Sequence, residues 1–119
     1  MICILCIIGP PGAPEIIRLT TQQDQAHFKW SLSPESTGGY SIDQLQFQIQ
    51  YQIVPPLFNW DDRGSCQRCK LVASARNNGD EELQNLKANT TYAVRIVVTS
   101  PAGHNVSDWK IVITKGNSY

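Results

Sequence analysis

The chain has 119 residues, 41% of them hydrophobic, which is the size of one ordinary domain with a single apolar core. Ten Lys and Arg residues balance ten Asp and Glu residues, and no basic run is present. This balance excludes the electrostatic footprint that nucleic acids or anionic membrane surfaces require, and the regular recurrence of apolar residues excludes a disordered chain.

The chain begins with an apolar run over residues 2–8, followed by the proline- and glycine-rich stretch GPPGAP over residues 9–14. The run is much shorter than the ~20 residues that a membrane-spanning helix needs. It also lacks the basic start and cleavage site of a signal peptide, so we interpret residues 1–8 as a residual or mis-started segment, with a truncated signal segment as the alternative. GPPGAP fits a stiff lead into a first strand, because a collagen helix needs long repetition.

Seven short segments have the pattern of β-strands, and turn signals rich in Gly, Pro, Asn and Asp separate them. The segments are residues 15–21, 26–32, 44–52, 69–75, 81–86, 91–100 and 108–114. The second, third and sixth alternate strictly; in the third, Phe47, Ile49 and Tyr51 alternate with glutamines. No segment has a helical period, so the sequence predicts an all-β sandwich of seven antiparallel strands, with a small barrel as the alternative.

The apolar faces of these segments give a predicted core. Its members are Ile17, Leu19, Phe28, Trp30, Phe47, Ile49, Tyr51, Leu83, Leu86, Tyr92, Val94, Ile96 and Val98. The stretch over residues 52–80 is longer and richer in proline and cysteine than one strand and its turns require, so the boundaries of the fourth strand are the least defined.

The second half of the chain resembles a fibronectin type III domain. That family has a leucine, then a Pro-x-Thr-x-Tyr-like run, then an alternating strand, and here Leu86, Asn89, Thr90 and Tyr92 hold those positions. Ala88 stands where the family usually has proline. The resemblance implies that the Tyr92 hydroxyl forms a tyrosine corner, in which it bonds back to the chain upstream.

Further matches follow in the family's order and extend the resemblance over residues 9–114. Pro14 opens the first strand, Trp30 lies in the second, and Gly103, Ser107 and Trp109 occupy the last loop and strand. An immunoglobulin domain would instead carry its tryptophan in the third strand, between two bridged cysteines. The resemblance therefore implies a seven-stranded immunoglobulin-like β-sandwich of the fibronectin type III class over residues 9–115, with an exit linker at residues 116–119.

The resemblance also implies a function. It implies a non-catalytic module of a cell-surface adhesion molecule or receptor, which spaces or binds protein partners, homophilic or heterophilic, on the extracellular side of the plasma membrane. No nucleic acid and no cofactor are expected, and a membrane would be reached only through a transmembrane segment of the parent protein outside this chain. A cytokine-receptor-like module, whose loops around Asp61 and Gly103 meet a soluble ligand, is one alternative. Ser107 and Trp109 match that family's Trp-Ser-x-Trp-Ser box but Val106 and Lys110 do not, and ordinary fibronectin type III domains share this partial match, so it does not favour the alternative.

Cys66 and Cys69 allow a second alternative, a thiol enzyme or metal protein, because their spacing is that of redox dithiols and of half a zinc site. A redox pair would need a helix N-terminus, which the pattern does not predict. A four-cysteine zinc site would need Cys3 and Cys6, which lie much farther away than the ~15–20 residues of a zinc ribbon. A local disulfide is favoured, and it requires a turn at residues 67–68 because positions i and i+3 of a flat strand are too far apart. Two free or otherwise paired cysteines remain the fourth possibility.

Two Asn-x-Ser/Thr triplets, which begin at Asn89 and Asn105, are candidate glycosylation sites of a secreted chain. Asn105 is favoured, because it falls in the loop predicted before the last strand, whereas Asn89 falls at the tyrosine corner. His27 and His104, the only histidines, lie in different regions and form no set with a nucleophile and a carboxylate. The sequence therefore assigns no catalytic, cofactor-binding or metal-binding residue.

Overall fold

A computed structural model describes residues 9–74 and 80–116. Short strands form nearly all of the regular structure in these ranges, beside two 3₁₀ turns at Pro34–Ser36 and Ile42–Gln44. The strands are β1 (Glu15–Thr21), β2 (Ala26–Ser31), β3 (Gln46–Ile53), β4 (Lys70–Ser74), β5 (Asp80–Leu83), β6 (Thr91–Ser100), β7 (Gly103–Val106) and β8 (Lys110–Ile113). Across the described ranges, no helix has the length and apolar character needed to cross a bilayer.

The strands form two antiparallel sheets. One has the order β1-β2-β5; the other runs β4-β3-β6, with both β7 and β8 beside β6. β7 pairs with residues 97–100 and β8 with residues 91–94, so the two together form one interrupted final strand. The predicted all-β sandwich is confirmed, and residues 9–74 and 80–116 contain eight strands in place of the seven predicted. The additional strand is β7, whose sequence GHNV lacks the apolar alternation that predicts a strand.

The core lies between the sheets and is centred on Trp30, which is 2% exposed and whose ring centroid lies 4.3 Å from that of Phe47. The buried cluster comprises Ile16, Ala26, Phe28, Trp30, Leu45, Phe47, Ile49, Tyr51, Leu83, Leu86, Tyr92, Val94, Ile96, Val98 and Val112. Every predicted core residue except Ile17 and Leu19 belongs to it. Burial of this apolar surface is the main favourable term in folding.

The two exceptions lie on β1, where a bulge between Ile16 and Arg18 interrupts the pairing with β2. The bulge turns Ile16 into the core and leaves Ile17 61% exposed, while Leu19 is only partly buried. The prediction of Ile17 as a core residue is therefore wrong. Alternation identifies the inward face only of an unbroken strand. A bulge adds one residue to the strand, so every side chain before it points to the opposite face from the one that alternation predicts.

The lead before β1 lies along the sandwich. The Gly9 amide donates to the Gly38 carbonyl at 3.0 Å, and the Gly12 amide donates to the Ser36 carbonyl at 2.7 Å. Gly38 has a φ of +72°, and a Cβ there would lie 2.2 Å from the Gly9 carbonyl oxygen, so this contact requires glycine. The predicted domain limits, 9–115, and the exit linker remain predictions, and residues 1–8 and 117–119 lie outside the described ranges.

Candidate functional site

The segment between β3 and β4, residues 54–69, is called the insertion from here on. It lies across the outer face of the five-stranded sheet, the face turned away from the core. Arg95 identifies that face: its neighbours Val94 and Ile96 on β6 are buried in the core, so Arg95 points the opposite way. Arg95 is nevertheless only 1% exposed, because the insertion covers it.

The guanidinium of Arg95 makes three hydrogen bonds beneath the insertion. Nε donates to Gln50 Oε1 at 2.8 Å, Nη1 to the Asp62 carbonyl at 3.2 Å, and Nη2 to the Gly64 carbonyl at 2.6 Å. The guanidinium carbon also lies 4.4 Å from the centroid of the Trp109 ring, a cation–π contact. One side chain of the sheet thus binds the insertion at two backbone positions and stacks on an aromatic ring.

Burial lowers the pKa of Arg95 below its ordinary value; the negative charge of Asp62 raises it, and the positive charge of Arg63 lowers it further. Arginine remains protonated in proteins, so the group is a buried cation. Its hydrogen bonds go to neutral amide and carbonyl oxygens, which replace the water that solvates it in the unfolded chain. Removal of the insertion would leave this charge without two of those oxygens.

Trp109 reaches the outer face because the final strand is interrupted between β7 and β8. At the interruption Ser107 takes over part of the pairing with Ile96: the Ile96 amide donates to Ser107 Oγ at 2.8 Å, and the Ser107 amide donates to the Ile96 carbonyl at 2.8 Å. Trp109 then lies over Arg95. Its Nε1 donates to the Asp62 carbonyl at 2.8 Å, which makes that oxygen a shared acceptor of both side chains.

Aromatic contacts extend from Trp109 into the insertion. The Phe58 ring meets Trp109 at 5.3 Å and Trp60 at 4.8 Å between centroids, both nearly edge to face. Arg63 adds a second polar attachment, because its Nη1 donates to the Val106 carbonyl at 3.0 Å and its Nη2 pairs with the Asp108 carboxylate. The insertion is therefore a packed cap on the sheet.

A disulfide between Cys66 and Cys69 closes the end of the insertion nearest β4, with Cα atoms 5.5 Å apart. The chain bends at Gln67 and Arg68, the turn that such a bridge requires. The bond leaves neither sulfur as a thiolate ligand. Within residues 9–74 and 80–116, no group of three or more His, Cys, Asp or Glu side chains is arranged to hold a metal ion.

The insertion presents two large apolar side chains to solvent, and we call Leu57 and Trp60 the tip. Leu57 is fully exposed and has a φ of 60°, a left-handed conformation that residues with a Cβ rarely adopt. Trp60 is 38% exposed while its ring is supported by Phe58. Strained backbone conformations persist where the surrounding structure fixes them, and they are enriched at functional sites.

The two predicted glycosylation residues lie in different environments. Asn105 lies on β7, not in a loop, and both ends of its side-chain amide are engaged: Nδ2 donates to the Pro11 carbonyl at 3.1 Å, and Oδ1 accepts from the Val106 amide at 2.8 Å. Asn89 is exposed, in a turn with a φ of 51°. Glycosylation stays a prediction at both, but the more accessible amide is that of Asn89.

The remaining sequence-predicted residues are structural in position. The Tyr92 hydroxyl accepts a hydrogen bond from the Lys87 amide at 2.8 Å, the geometry of a tyrosine corner. Gly103 begins β7 and lies against Pro10 of the lead, whereas the exposed Asp61 lies in the insertion beside Trp109. The two loops assigned to a soluble ligand by the cytokine-receptor alternative therefore contact different parts of the sandwich.

The sequence analysis assigns no role to Arg95, which alternation of β6 places opposite the core residues Val94 and Ile96. The available signal was a single charged residue in the middle of a ten-residue strand of otherwise uncharged side chains. An arginine in such a position is buried only when something satisfies it, so a long neighbouring connection such as residues 52–80 is the segment to suspect.

No protein-family model matches the sequence, and no curated protein does. Solved structures match it over nearly the whole chain. The fibronectin type-III domain of human fibronectin type III domain containing protein 3 has a TM-score of 0.63 at 13% identity, and the match covers 92% of this chain and 91% of that one. The FN5 domain of Drosophila Lar has a TM-score of 0.63 at 16% identity, with 90% and 99% covered. The third fibronectin III domain of human KIAA0343 protein has a TM-score of 0.63 at 17% identity, with 96% and 88% covered. The resemblance found in the sequence is confirmed at the level of the fold.

Proposed function

From the fibronectin type III fold of the described residues, we propose that the chain is a non-catalytic extracellular module of a membrane-anchored cell-surface protein. It mediates or spaces protein–protein interactions in adhesion or signalling. The observation that carries this proposal is the insertion: a disulfide closes it, a buried arginine holds it, and its tip exposes an aromatic and an aliphatic side chain. The proposal assigns no catalytic residue and no cofactor.

The disulfide supports the extracellular location. Structural disulfides persist in oxidising compartments, whereas the cytosol keeps thiols reduced. Cys66 and Cys69 are close neighbours in sequence, so their bond shapes one loop and does not connect distant parts of the chain. A bond of this kind is useful to a surface loop that has to keep one conformation.

The tip supports a binding role. Tryptophan is enriched among the few residues that dominate binding energy at protein interfaces. A loop that is already fixed loses little conformational entropy when a partner binds, which raises affinity without new contacts. Arg95, Arg63 and the disulfide provide that preorganisation. The partner would be another cell-surface protein with an apolar recess for Trp60.

Staining of intact cells tests the binding role. Fluorescent tetramers of the chain would be applied to a panel of cell lines, and coated beads would be examined for clustering, which reports homophilic contact. The double variant Leu57→Ser/Trp60→Ser should reduce staining or clustering by about tenfold, the effect of losing roughly 1.4 kcal/mol of binding free energy in all. Ile17→Ser, which changes an equally apolar exposed residue on β1, is the matched control and should bind like the wild type.

Three results would contradict parts of the proposal. Equal binding by the tip variant and the wild type would remove the tip from the interface. If wild-type tetramers stain no cell line and the coated beads do not cluster, a binding role is refuted and only a spacer role remains. The location is tested separately, with an antibody against the chain on cells that express the full-length transcript: staining only after permeabilisation would contradict an extracellular module.

A further inference from the structure

A second site lies at one end of the sandwich, beside the insertion. A cavity of about 380 Å³ opens between the end of β3, the start of β4, residues 85–87, which follow β5, and Pro55 and Arg68 of the insertion. The buried side chains of Tyr51, Tyr92 and Leu86 form its apolar wall. The cavity exists because β5 ends at Leu83, so the three-stranded sheet does not cover this end of the five-stranded one.

The rim of this cavity is cationic. Arg68, Lys70 and Lys87 line it, all three are exposed, and no aspartate or glutamate is among the lining residues. None of the three side chains has an ion pair or hydrogen bond with a residue in the described ranges. In a chain whose net charge is zero, three unpaired cations around one recess concentrate positive potential there, which attracts an anionic group.

The wall also offers a polar group that the fold does not use. The Tyr92 hydroxyl is engaged by the Lys87 amide, but the Tyr51 hydroxyl makes no hydrogen bond within the described part of the chain and is not sealed from solvent. It is therefore available as a donor to an oxygen anion that enters between the lysines. Lys87, at the corner, is positioned by the same hydrogen bond that fixes Tyr92.

The neighbouring backbone indicates what carries the anion. β4 starts at Lys70 on the rim, and among the described strands it pairs with β3 alone, so its outer edge presents unpaired amides and carbonyls. Such an edge is a template for an extended peptide, with main-chain hydrogen bonds for affinity and a side-chain pocket for specificity. A free inorganic anion could accept from the Tyr51 hydroxyl, but it would use neither the β4 edge nor the apolar part of the wall.

We propose that this cavity binds the carboxylate side chain of an acidic, extended segment from a protein partner, which pairs with the open edge of β4. The carboxylate lies among Arg68, Lys70 and Lys87, and the flanking apolar side chain lies against Tyr51. Neither Leu57 nor Trp60 is among the residues that line the cavity.

Titration of the whole chain with two capped pentapeptides tests this proposal. The probes are Glu-Val-Glu-Val-Glu and its counterpart with glutamine at every glutamate, and the readouts are amide chemical shifts and calorimetry. The acidic peptide should shift the amide resonances of Lys70, Leu86 and Lys87 saturably, and the glutamine peptide should bind about tenfold more weakly. A higher salt concentration should weaken binding of the acidic peptide, because salt screens the attraction between exposed charges.

Charge-reversal variants locate the site. Lys70→Glu and Lys87→Glu should each weaken the acidic peptide by about fivefold or more, because like charges then face the carboxylate. Arg18→Glu makes the same charge change at an exposed position on β1, in the other sheet, and should leave the affinity within about twofold. If a charge reversal unfolds the chain, the neutral variant at the same position, Lys70→Gln or Lys87→Gln, is used instead and should also weaken binding of the acidic peptide.

Three outcomes would overturn the proposal. The first is equal affinity for the two peptides. The second is a loss of affinity for the acidic peptide with Arg18→Glu that is as large as the loss with Lys87→Glu. The third is that inorganic phosphate or a heparin fragment shifts the same resonances at lower concentration than the acidic peptide, which would identify a general anion site. Leu57 and Trp60 do not line the cavity, so the peptide titration and the cell-staining experiment depend on different variants and their failures are distinguishable.

Discussion

Arg95→Met removes the cation that holds the insertion while it keeps a side chain of similar length. The variant loses three hydrogen bonds and leaves the Gly64 carbonyl without its donor; the Asp62 carbonyl keeps the bond from Trp109. A hydrogen bond from a charged donor contributes about 1.5–3 kcal/mol. The desolvation of the guanidinium, several kcal/mol, acts in the opposite direction. We expect the free energy of unfolding to fall by about 2–4 kcal/mol, the net of these two opposing terms.

Urea unfolding followed by tryptophan fluorescence measures the loss of global stability, and hydrogen exchange of residues 54–69 measures the loss of protection in the insertion. The matched control is Arg18→Met, which makes the same chemical change at an exposed position on β1, in the other sheet. Exposed surface substitutions usually change stability by no more than about 0.5 kcal/mol, so this variant should unfold like the wild type.

One result would refute this reasoning. If Arg95→Met unfolds within about 0.5 kcal/mol of the wild type and the insertion keeps its exchange protection, the buried arginine does not hold the cap. The aromatic contacts of Phe58 with Trp109 would then be sufficient.

Three further predictions concern other parts of the chain. Replacing Cys66 and Cys69 by serine should cost at most roughly 2 kcal/mol, since the closed loop is short, and hydrogen exchange should rise in the insertion alone; a calorimetric loss of the whole folding transition would contradict this. In a secretory host, Asn89→Gly should abolish the gel shift on endoglycosidase treatment, because Asn89 has the more accessible side-chain amide; glycine is chosen because it suits the φ of 51°. Asn105→Asp should keep the shift, because the Asn105 amide is already engaged, and the reverse pattern would refute the assignment. Gly38→Ala should lower the urea midpoint by the equivalent of about 1–3 kcal/mol, given its positive φ and the close Gly9 carbonyl, and an unchanged midpoint would show that the lead is not held there.

The strands that sequence predicts best are those with one face against the opposite sheet. β2 and β3 alternate because their inward residues, such as Phe28 and Phe47, are buried while the intervening ones meet solvent or the insertion. Alternation is thus a direct record of burial. It does not record a bulge, which is why Ile17 is misplaced, nor a short strand such as β7, whose existence depends on pairing with β6.

The site is predictable only in part. The spacing of Cys66 and Cys69 in an all-β pattern favours a disulfide and requires a bend, both of which depend on local geometry alone. The role of Arg95 could not be predicted in the same way, because two of its acceptors are backbone carbonyls, at Asp62 and Gly64. Every residue has a carbonyl, so residue identity carries no signal of such a contact. Only the three-dimensional course of the insertion reveals it.

The interruption between β7 and β8 also bears on solubility. A sheet that ends in a long, straight strand invites another chain to extend it, the first step toward fibrils. Here the edge of the sheet consists of two separate strands of four residues each, β7 and β8. Between them, Ser107 bonds to Ile96 and Trp109 lies over the outer face of the sheet. A neighbouring molecule could therefore align with only one short run at a time, so this side of the sandwich resists growth into ordered aggregates.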